Sequence, residues 1–210
     1  MLMTAKLYCF GESGNAYKAA LTLALTGYDW EPVYVDFFNG ESRSPEFRKL
    51  NEMGEAPVFV EGDLKLTQSC VIQLHVAEKT GKLMEGDRNE ILRWMFWDAQ
   101  KGSGQQGSLR FLMNFLPEEK RPKEAIGWLG GRVMSALKVL DGHLAGRDWI
   151  VGDKLTLADI ACCGYLYYPE PYGFERKDFP NIDAWLDRIA AQPGWKHPYE
   201  LMPGSPADRA

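Results

Sequence analysis

Residues 8–18 join a predicted first strand to a predicted first helix and place the hydroxyl group of Ser13 at the start of that helix. The first four N–H groups of a helix lack intrahelical partners and carry partial positive charge, so a side chain there can help to hold an anion such as a thiolate. Serine is also a common N-cap residue, which is a purely structural role. Taken alone, the segment favours the cap.

A second serine, Ser69, follows Gln68 at the predicted start of the third helix. Its N–H and hydroxyl groups would suit a carboxylate, although an N-cap role explains it as well. Between the two serines, Pro57 follows Ala56 at the entrance to a predicted strand, where a missing N–H is tolerated. A cis bond there would leave the N–H and C=O groups of Ala56 able to pair with an extended peptide, but trans X-Pro bonds are far commoner.

The elements that must position these groups alternate between strand and helix. The hydrophobic pattern predicts the order β-α-β-α-β-β-α, a small α/β layer sandwich. The predicted strands cover residues 6–10 and 33–38 and a hairpin with a three-residue loop at 61–63. The predicted helices cover residues 13–26, 44–50 and 69–79.

After a polar joint at residues 81–88, every strong periodicity is helical. Thr156 to Asp159 has a pattern similar to a capping box and predicts the start of a helix. Pro180 is predicted to be the first residue of the last helix. Glycines at 102, 104 and 107 predict a kink or break within residues 91–115. Steps of three and four predict one long core helix through Ile126, Leu129, Val133, Leu137, Leu140 and Leu144.

These patterns predict two domains and a tail. The first domain covers residues 1–81, the all-helical second domain covers residues 88–203, and the tail covers residues 204–210. The tail is expected to be frayed from Pro203 onward.

The composition argues against several classes of function. The chain has 210 residues, of which 45% are hydrophobic and 25% are charged, as in a typical globular protein. A net charge of −5 without a dense Lys/Arg run argues against a nucleic-acid partner. No apolar run approaches the ~20 residues of a membrane span and no secretory signal is recognisable, so we expect a soluble cytoplasmic protein.

The cysteines do not suggest a metal site. Cys9, Cys70, Cys162 and Cys163 show no CxxC spacing, and the three histidines leave few zinc ligands. We expect no metal, and thiols that are buried in a reducing compartment.

Taken together, the serines and the Ala-Pro pair resemble the glutathione S-transferase family, and the resemblance covers nearly the whole chain. It implies a thioredoxin-like domain followed by an all-α domain, commonly in a homodimer. The order and spacing of the motifs carry it: Leu7 and Tyr8 with residues 13–18, Phe47 with Leu50 and Asn51, then residues 54–57, 66–69, 156–160 and 179–185.

The resemblance implies roles for individual residues. Ser13 would donate a hydrogen bond to the sulfur of glutathione, with Asn15 as a second candidate. Ala56, before Pro57, would pair with the cysteinyl backbone of glutathione, and Glu55 belongs to the same binding segment.

Gln68 and Ser69 would hold the γ-glutamyl end. The family usually has an acidic residue where this chain has the neutral Gln68, so the ammonium group would need an acid from a neighbouring helix or the other subunit. Arg43 or Lys49 would hold the glycine carboxylate.

The second substrate would lie in a cleft between domains, which suits apolar or aromatic electrophiles. Aromatic residues at helical spacing usually belong to the core, so a core role is the alternative for these residues. The candidates for the cleft are Trp97, Phe111, Tyr165 and Tyr168.

The expected activity is that of a glutathione transferase, with glutathione as co-substrate, a hydrophobic electrophile as partner and a role in detoxification. One alternative is glutathione-dependent disulfide exchange. A mechanism that uses an enzyme thiol is disfavoured, because Ser13 occupies the position where that thiol would be needed. The other alternative is a non-catalytic module that binds glutathione or another ligand. The neutral Gln68, in place of the usual acidic residue, is consistent with this alternative.

Overall fold

A computed structural model of the chain describes residues 4–206. These residues form two compact units, one of residues 4–82 together with 193–206 and one of Leu83–Gln192. No helix in the described range is both long and apolar enough to span a membrane.

The first unit confirms the predicted order of strands and helices. Its four strands form one mixed sheet in the order β2-β1-β3-β4, in which β1 is parallel to β2 and β3 is antiparallel to β1 and β4. The elements are β1 (Ala5–Cys9), α1 (Gly14–Thr26), β2 (Trp30–Tyr34), α2 (Pro45–Arg48), β3 (Val58–Glu61), β4 (Leu64–Thr67) and α3 (Ser69–Thr80).

The strand register brings three connections to one edge of the sheet. Tyr8, near the end of β1, lies opposite Val58, the first residue of β3. Val58 in turn lies opposite Thr67, the last residue of β4. The segments that follow β1, precede β3 and follow β4 therefore emerge side by side.

Helix α1 begins and ends where the sequence predicts. Ser13 is its N-cap, and Gly27 closes it in the left-handed conformation with a φ of 72°, which glycine adopts most readily. Between these caps, the Ala/Leu-rich stretch packs against α3 and buries Leu21 and Leu23 completely.

Two predicted boundaries were wrong. Strand β2 covers Trp30–Tyr34 rather than residues 33–38. Beyond the strand, Val35 belongs to a buried cluster, and Phe37 stacks on the ring of Phe10 at 4.6 Å. The hairpin loop has two residues rather than three, since Glu61 pairs with Leu64. Gly62, with a φ of 58°, supplies the positive φ that a two-residue loop needs at its first position.

The second unit is helical. The predicted break near Gly102 is confirmed, since α4 ends at Lys101 and the N–H and hydroxyl groups of Ser103 bond to the Asp98 carboxylate at 3.1 and 2.9 Å. Its helices are α4 (Arg88–Lys101), α5 (Ser103–Asn114), α6 (Lys123–Leu144), α7 (Leu157–Cys162) and α8 (Pro180–Ala190). The predicted stripe of α6 is buried at Val133, Leu137, Leu140 and Leu144 and half-buried at Ile126 and Leu129.

Asp159 joins three parts of this unit. One carboxylate oxygen accepts from the N–H of Ile150 and the indole N–H of Trp185, both at 2.9 Å. The other accepts from the N–H of Thr156 at 2.8 Å and its hydroxyl at 3.2 Å, which confirms the capping box. Complete burial raises the pKa of the Asp159 carboxyl, and the four donors oppose that shift.

The last described residues return to the first unit. Tyr17 donates its hydroxyl to the carbonyl of Lys196 at 2.9 Å, and the N–H of Gly11 donates to the carbonyl of Pro203 at 2.7 Å. Residues 193–203, which the sequence assigned to the helical domain, thus group with the first unit, where α9 (Pro198–Leu201) lies. Pro203 is held rather than frayed, and residues 207–210 of the predicted tail lie outside the described residues.

None of the four cysteines forms a disulfide. Cys9, Cys162 and Cys163 are buried as expected, whereas Cys70 is only half-buried at the start of α3. Burial raises the pKa of the Cys9 thiol to about 12, so this thiol stays protonated at neutral pH.

We expect Gly11→Ala to destabilise the first unit by about 1–3 kcal/mol, because the added Cβ would overlap the backbone carbonyl of Gly204. Gly127→Ala is the matched control, since a Cβ there meets no atom within 4 Å and should add about 0.5–1 kcal/mol of helix stability. Denaturant unfolding measures both changes in free energy. Equal effects of the two substitutions would contradict the close approach at Gly11.

Asp159→Asn should lower the free energy of unfolding by about 2–4 kcal/mol, because the amide NH₂ would face buried donors and leave them without an acceptor. The control is Asp153→Asn, an exposed position in the same unit, where we expect less than about 0.5 kcal/mol. Urea denaturation distinguishes the two, and an unchanged midpoint for Asp159→Asn would show that the four hydrogen bonds contribute little.

Candidate functional site

The candidate site lies at the sheet edge where β1 ends, β3 begins and β4 ends. The register through Tyr8, Val58 and Thr67 puts Ser13, Ala56 and Ser69 on the three connections that emerge there. All three sequence motifs therefore share one face of the first unit. A carboxyl-end sheet edge beside helix N-termini is a common place for ligand sites in α/β folds.

Ser13 has extended backbone geometry, with φ −89° and ψ 105°, and its side-chain oxygen accepts the N–H of Ala16 at 3.1 Å. It is therefore an N-cap, as the structural interpretation predicted. Within residues 4–206, the hydroxyl hydrogen of Ser13 has no acceptor. The same hydroxyl can thus cap α1 and donate a hydrogen bond to a ligand.

Asn15 lies in the first turn of the same helix and is half-buried. No side-chain hydrogen bond joins it to another described residue. The structure therefore brings both candidate donors, Ser13 and Asn15, to the positive end of α1.

The Ala56-Pro57 peptide bond is cis. Pro57 is buried and Ala56 is half-buried. In the described part of the chain, neither the N–H nor the C=O of Ala56 has a hydrogen-bond partner. These two groups can pair with an extended peptide as a neighbouring strand would.

The loop before this bond is held by Asn51, a residue that the sequence analysis included only as part of a motif. Its side chain is buried, donates to the carbonyl of Glu55 at 2.7 Å and accepts the N–H of Met53 at 3.1 Å. Asn51 therefore fixes the backbone on the amino side of Ala56.

Gln68 contacts an acid that sequence reasoning did not pair with it. Its side-chain NH₂ lies 3.3 Å from a carboxylate oxygen of Glu55 and 3.5 Å from the sulfur of Met53. Gln68 has a φ of 66°, in a region that favours glycine, directly before the buried Ser69. Glu55, Gln68 and Ser69 thus form one polar group, and the adjacency of Glu55 to Ala56-Pro57 is the signal that could have found it.

Arg43 and Lys49 lie on either side of α2, and both are exposed. Neither side chain forms a hydrogen bond or an ion pair with another residue within 4–206. The structure leaves both as candidate cations.

The four aromatic candidates for the second substrate all belong to the second unit. Tyr165 and Tyr168 are buried with ring centroids 5.9 Å apart, and the Arg110 guanidinium lies 4.1 Å from the Tyr168 ring. Arg110 pairs with Glu170 at 2.5 Å. This group therefore has an internally paired cation at its centre.

Phe111 and Trp97 are both half-buried. Phe111 reaches the same group through Phe115, which lies 6.1 Å from its ring and 5.0 Å from the Arg110 guanidinium. Trp97 instead lines a separate cleft between α4 and α6, none of whose other lining residues is among the four candidates. The structure thus brings Phe111, Tyr165 and Tyr168 together but not Trp97.

Among residues 4–206, no group of three or more His, Cys, Asp or Glu side chains has the geometry to hold a metal ion.

Two family models match the chain. One, described as the N-terminal domain of glutathione S-transferase, matches residues 3–78, and the other, described as its C-terminal domain, matches residues 110–193. These matches agree with the α/β first unit and the helical second unit.

Individual relatives are similar over most of their length. Glutathione S-transferase F10 of Arabidopsis thaliana is 30% identical over 199 residues, which are 87% of this chain and 90% of that protein. The disulfide-bond oxidoreductase YfcG of Escherichia coli is 26% identical over 88% of this chain and 89% of that protein. A solved glutathione S-transferase from Xanthobacter autotrophicus is 34% identical, with a TM-score of 0.85 over 94% of this chain and 98% of that chain.

The two domain models match in the expected order, and the similarity to F10 extends across both of them. The first unit is thus a thioredoxin-like domain, and the helical region follows it. On these grounds the chain belongs to the glutathione S-transferase family.

Proposed function

We propose that this protein is a glutathione transferase that joins the thiolate of glutathione to small hydrophobic electrophiles. The hydroxyl of Ser13 carries the proposal. Its oxygen is occupied by the N–H of Ala16, which orients the group, while within residues 4–206 its hydrogen has no acceptor. A sulfur held at the start of α1 would receive that hydrogen bond and the partial positive charge of the helix.

Glutathione fits the groups around Ser13. Its cysteinyl N–H and C=O can pair with the free C=O and N–H of Ala56, next to the cis bond to Pro57. The γ-glutamyl carboxylate suits the N–H and hydroxyl groups of Ser69 at the start of α3.

The γ-glutamyl ammonium suits the carboxylate of Glu55, which accepts a hydrogen bond from the side-chain NH₂ of Gln68 at 3.3 Å. This assignment needs no acid from another helix or subunit. The glycine carboxylate suits the exposed cation of either Arg43 or Lys49, at the two sides of α2.

Catalysis would come from thiolate stabilisation and from holding the two reactants together. A free thiol has a pKa of about 8.5, and each unit by which the site lowers it corresponds to ~1.36 kcal/mol. A charge-assisted hydrogen bond from Ser13 and the N-terminus of α1 can supply about one or two units. The thiol proton leaves to water, the sulfur bonds to the electrophilic carbon, and in a substitution the leaving group departs with the bonding electron pair.

The remaining parts of the proposal follow from the family. The electrophile would contact the aromatic residues of the second unit, with Phe111, Tyr165 and Tyr168 preferred over Trp97 because they lie together. The proposal also includes that the protein forms a homodimer, is located in the cytoplasm and acts in detoxification. The exposed side chains of Met53 and Val71 in the first unit are apolar surface that a second subunit could cover.

Glutathione-dependent disulfide reduction is the second candidate, favoured by the similarity to the oxidoreductase YfcG. A mechanism with an enzyme thiol is disfavoured, because Ser13 occupies the helix start and burial raises the pKa of the Cys9 thiol to about 12. Any such reaction would therefore use the thiolate of glutathione itself.

Ser13→Ala should raise the pKa of the thiol of bound glutathione by about one unit and lower kcat/KM toward a chloronitrobenzene about tenfold at neutral pH, because the N-terminus of α1 remains. Glutathione affinity should change little, since the other contacts remain. Ultraviolet titration of the bound thiolate measures the pKa directly. Ser13→Asp is the matched control, because it keeps an N-cap acceptor and hence the stability of α1 but cannot donate to the thiolate.

Other outcomes separate the alternatives. An unchanged titration in Ser13→Ala together with a shifted one in Asn15→Ala would transfer the role to Asn15. Turnover of a glutathione-reducible disulfide without turnover of any electrophile would favour the reductase. Retention on immobilised glutathione with no turnover of either substrate class would favour a binding module.

Glu55→Gln should raise KM for glutathione about fivefold with little change in kcat, because it removes the negative charge that faces the ammonium. Glu52→Gln is the control, since this exposed side chain three residues earlier forms no hydrogen bond or ion pair within 4–206. Initial-rate kinetics with varied glutathione give both constants. A KM that is the same in both variants would exclude Glu55 as the ammonium partner.

A further inference from the structure

A tight turn leads from β1 to Ser13. The N–H of Ser13 donates to the carbonyl of Phe10 at 3.1 Å, which closes a four-residue turn with Gly11 and Glu12 at its centre. All four residues of this turn are buried. The position of the Ser13 hydroxyl therefore depends on how the turn is held.

A segment near the other end of the chain holds this turn. The N–H of Gly11, which the turn itself does not use, donates to the carbonyl of Pro203 at 2.7 Å. Residues 194–204, called the C-terminal strap below, belong to the first unit together with the turn. One backbone hydrogen bond thus joins the strap to a residue two positions before Ser13.

The C-terminal strap follows α1 from its end to its start. Gly194 lies against the end of α1, since a Cβ at this residue would be 2.9 Å from the carbonyl oxygen of Ala24. Nearer the start of the helix, the buried Tyr17 donates its hydroxyl to the carbonyl of Lys196 at 2.9 Å. The strap therefore approaches the turn along a helix that already fixes its direction.

The end of the strap is packed without spare room. A Cβ at Gly11 would lie 1.8 Å from the carbonyl oxygen of Gly204 and 3.0 Å from the ring of Tyr199. The φ of Gly11 lies outside the left-handed region, so packing rather than backbone conformation requires glycine there. A Cβ at Gly204, whose φ is 82°, would lie 2.5 Å from the ring of Tyr34. The strap is thus held between the turn and the last residue of β2.

We propose that the C-terminal strap clamps the turn and that Gly11 and Gly204 are positioning residues for Ser13. The clamped turn holds the Ser13 hydroxyl where it donates to the sulfur of glutathione. Displacement of the strap leaves the oxygen of Ser13 bound to the N–H of Ala16 but removes the bond that fixes the turn. Small displacements of catalytic groups lower rates strongly. The inference rests on the proposed role of Ser13 in thiolate stabilisation.

Gly204→Ala tests the clamp in the full chain, because a Cβ there combines a left-handed φ with an overlap on Tyr34. The pKa of the thiol of bound glutathione should rise by about half a unit, and kcat/KM at neutral pH should fall about threefold. Ultraviolet titration and initial-rate kinetics measure the two changes. Gly146→Ala is the matched control, since Gly146 has a φ of 71° and a Cβ there meets no atom within 4 Å. It should change neither quantity.

Amide hydrogen exchange reports the clamp directly. Exchange of the Gly11 amide should be slow in the parent protein and several-fold faster in Gly204→Ala, because its acceptor is displaced. Glutathione should slow this exchange further in the parent protein, since coupling between the bound ligand and the clamp is reciprocal.

A double variant separates positioning from general stability. In a Ser13→Ala background, Gly204→Ala should raise the thiol pKa no further, because the strap acts through the Ser13 hydroxyl. A merely structural strap would have the same effect in both backgrounds. Tyr17→Phe removes the hydroxyl that binds Lys196 and should reproduce the pattern at smaller size, which provides a second variant if Gly204→Ala does not fold.

Two results would overturn the proposal. The first is a lowered thiol pKa in the parent protein that stays the same in Gly204→Ala and Tyr17→Phe. The second is full additivity of the Ser13→Ala and Gly204→Ala effects. Failure of the proposed function gives a different result, namely a thiol pKa that is not lowered in the parent protein itself.

Discussion

The pairing of Val58 with both Tyr8 and Thr67 is the constraint on which the site depends. Because β3 runs antiparallel to both neighbours, its first residue lies beside the next-to-last residue of β1 and the last residue of β4. This register places the N-terminus of α1, the Ala56-Pro57 bond and the N-terminus of α3 at one edge. A shift of one residue would exchange the sheet faces on which the fully buried Val58 and Phe59 pack, so the same burial that stabilises the sheet also fixes the site.

Structural and chemical roles coincide at several positions in the first unit. The oxygen of Ser13 caps α1 while its hydrogen stays free for a ligand, so the cap and the proposed catalytic role do not compete. Gln68 holds a φ of 66°, a conformation that costs about 1–3 kcal/mol and persists because β4 and α3 fix the chain on both sides. Gly11 lets the C-terminal segment reach the loop before Ser13, which ties the last described residues to the candidate site.

Local patterns predicted most of the elements but fewer of their ends. Caps such as Ser13, Gly27 and Thr156 are local interactions, and the helices that they bound appear as expected. Strand β2 was misplaced because the hydrophobic alternation of residues 33–38 indicates burial, and Val35 is buried outside the strand. The return of residues 193–203 to the first unit depends on contacts with Gly11 and Tyr17, far away in sequence, which no local pattern reports.

The sequence by itself determined the family, the order of strands and helices, and the residue types at the candidate site, because motif spacing and periodicity are local properties of the chain. Only the tertiary structure decided that the Glu55 carboxylate lies beside Gln68 and that Trp97 is separated from the Tyr165 and Tyr168 group. These relations join residues on different elements, and their distances are set by how the strands pair and how the helices pack.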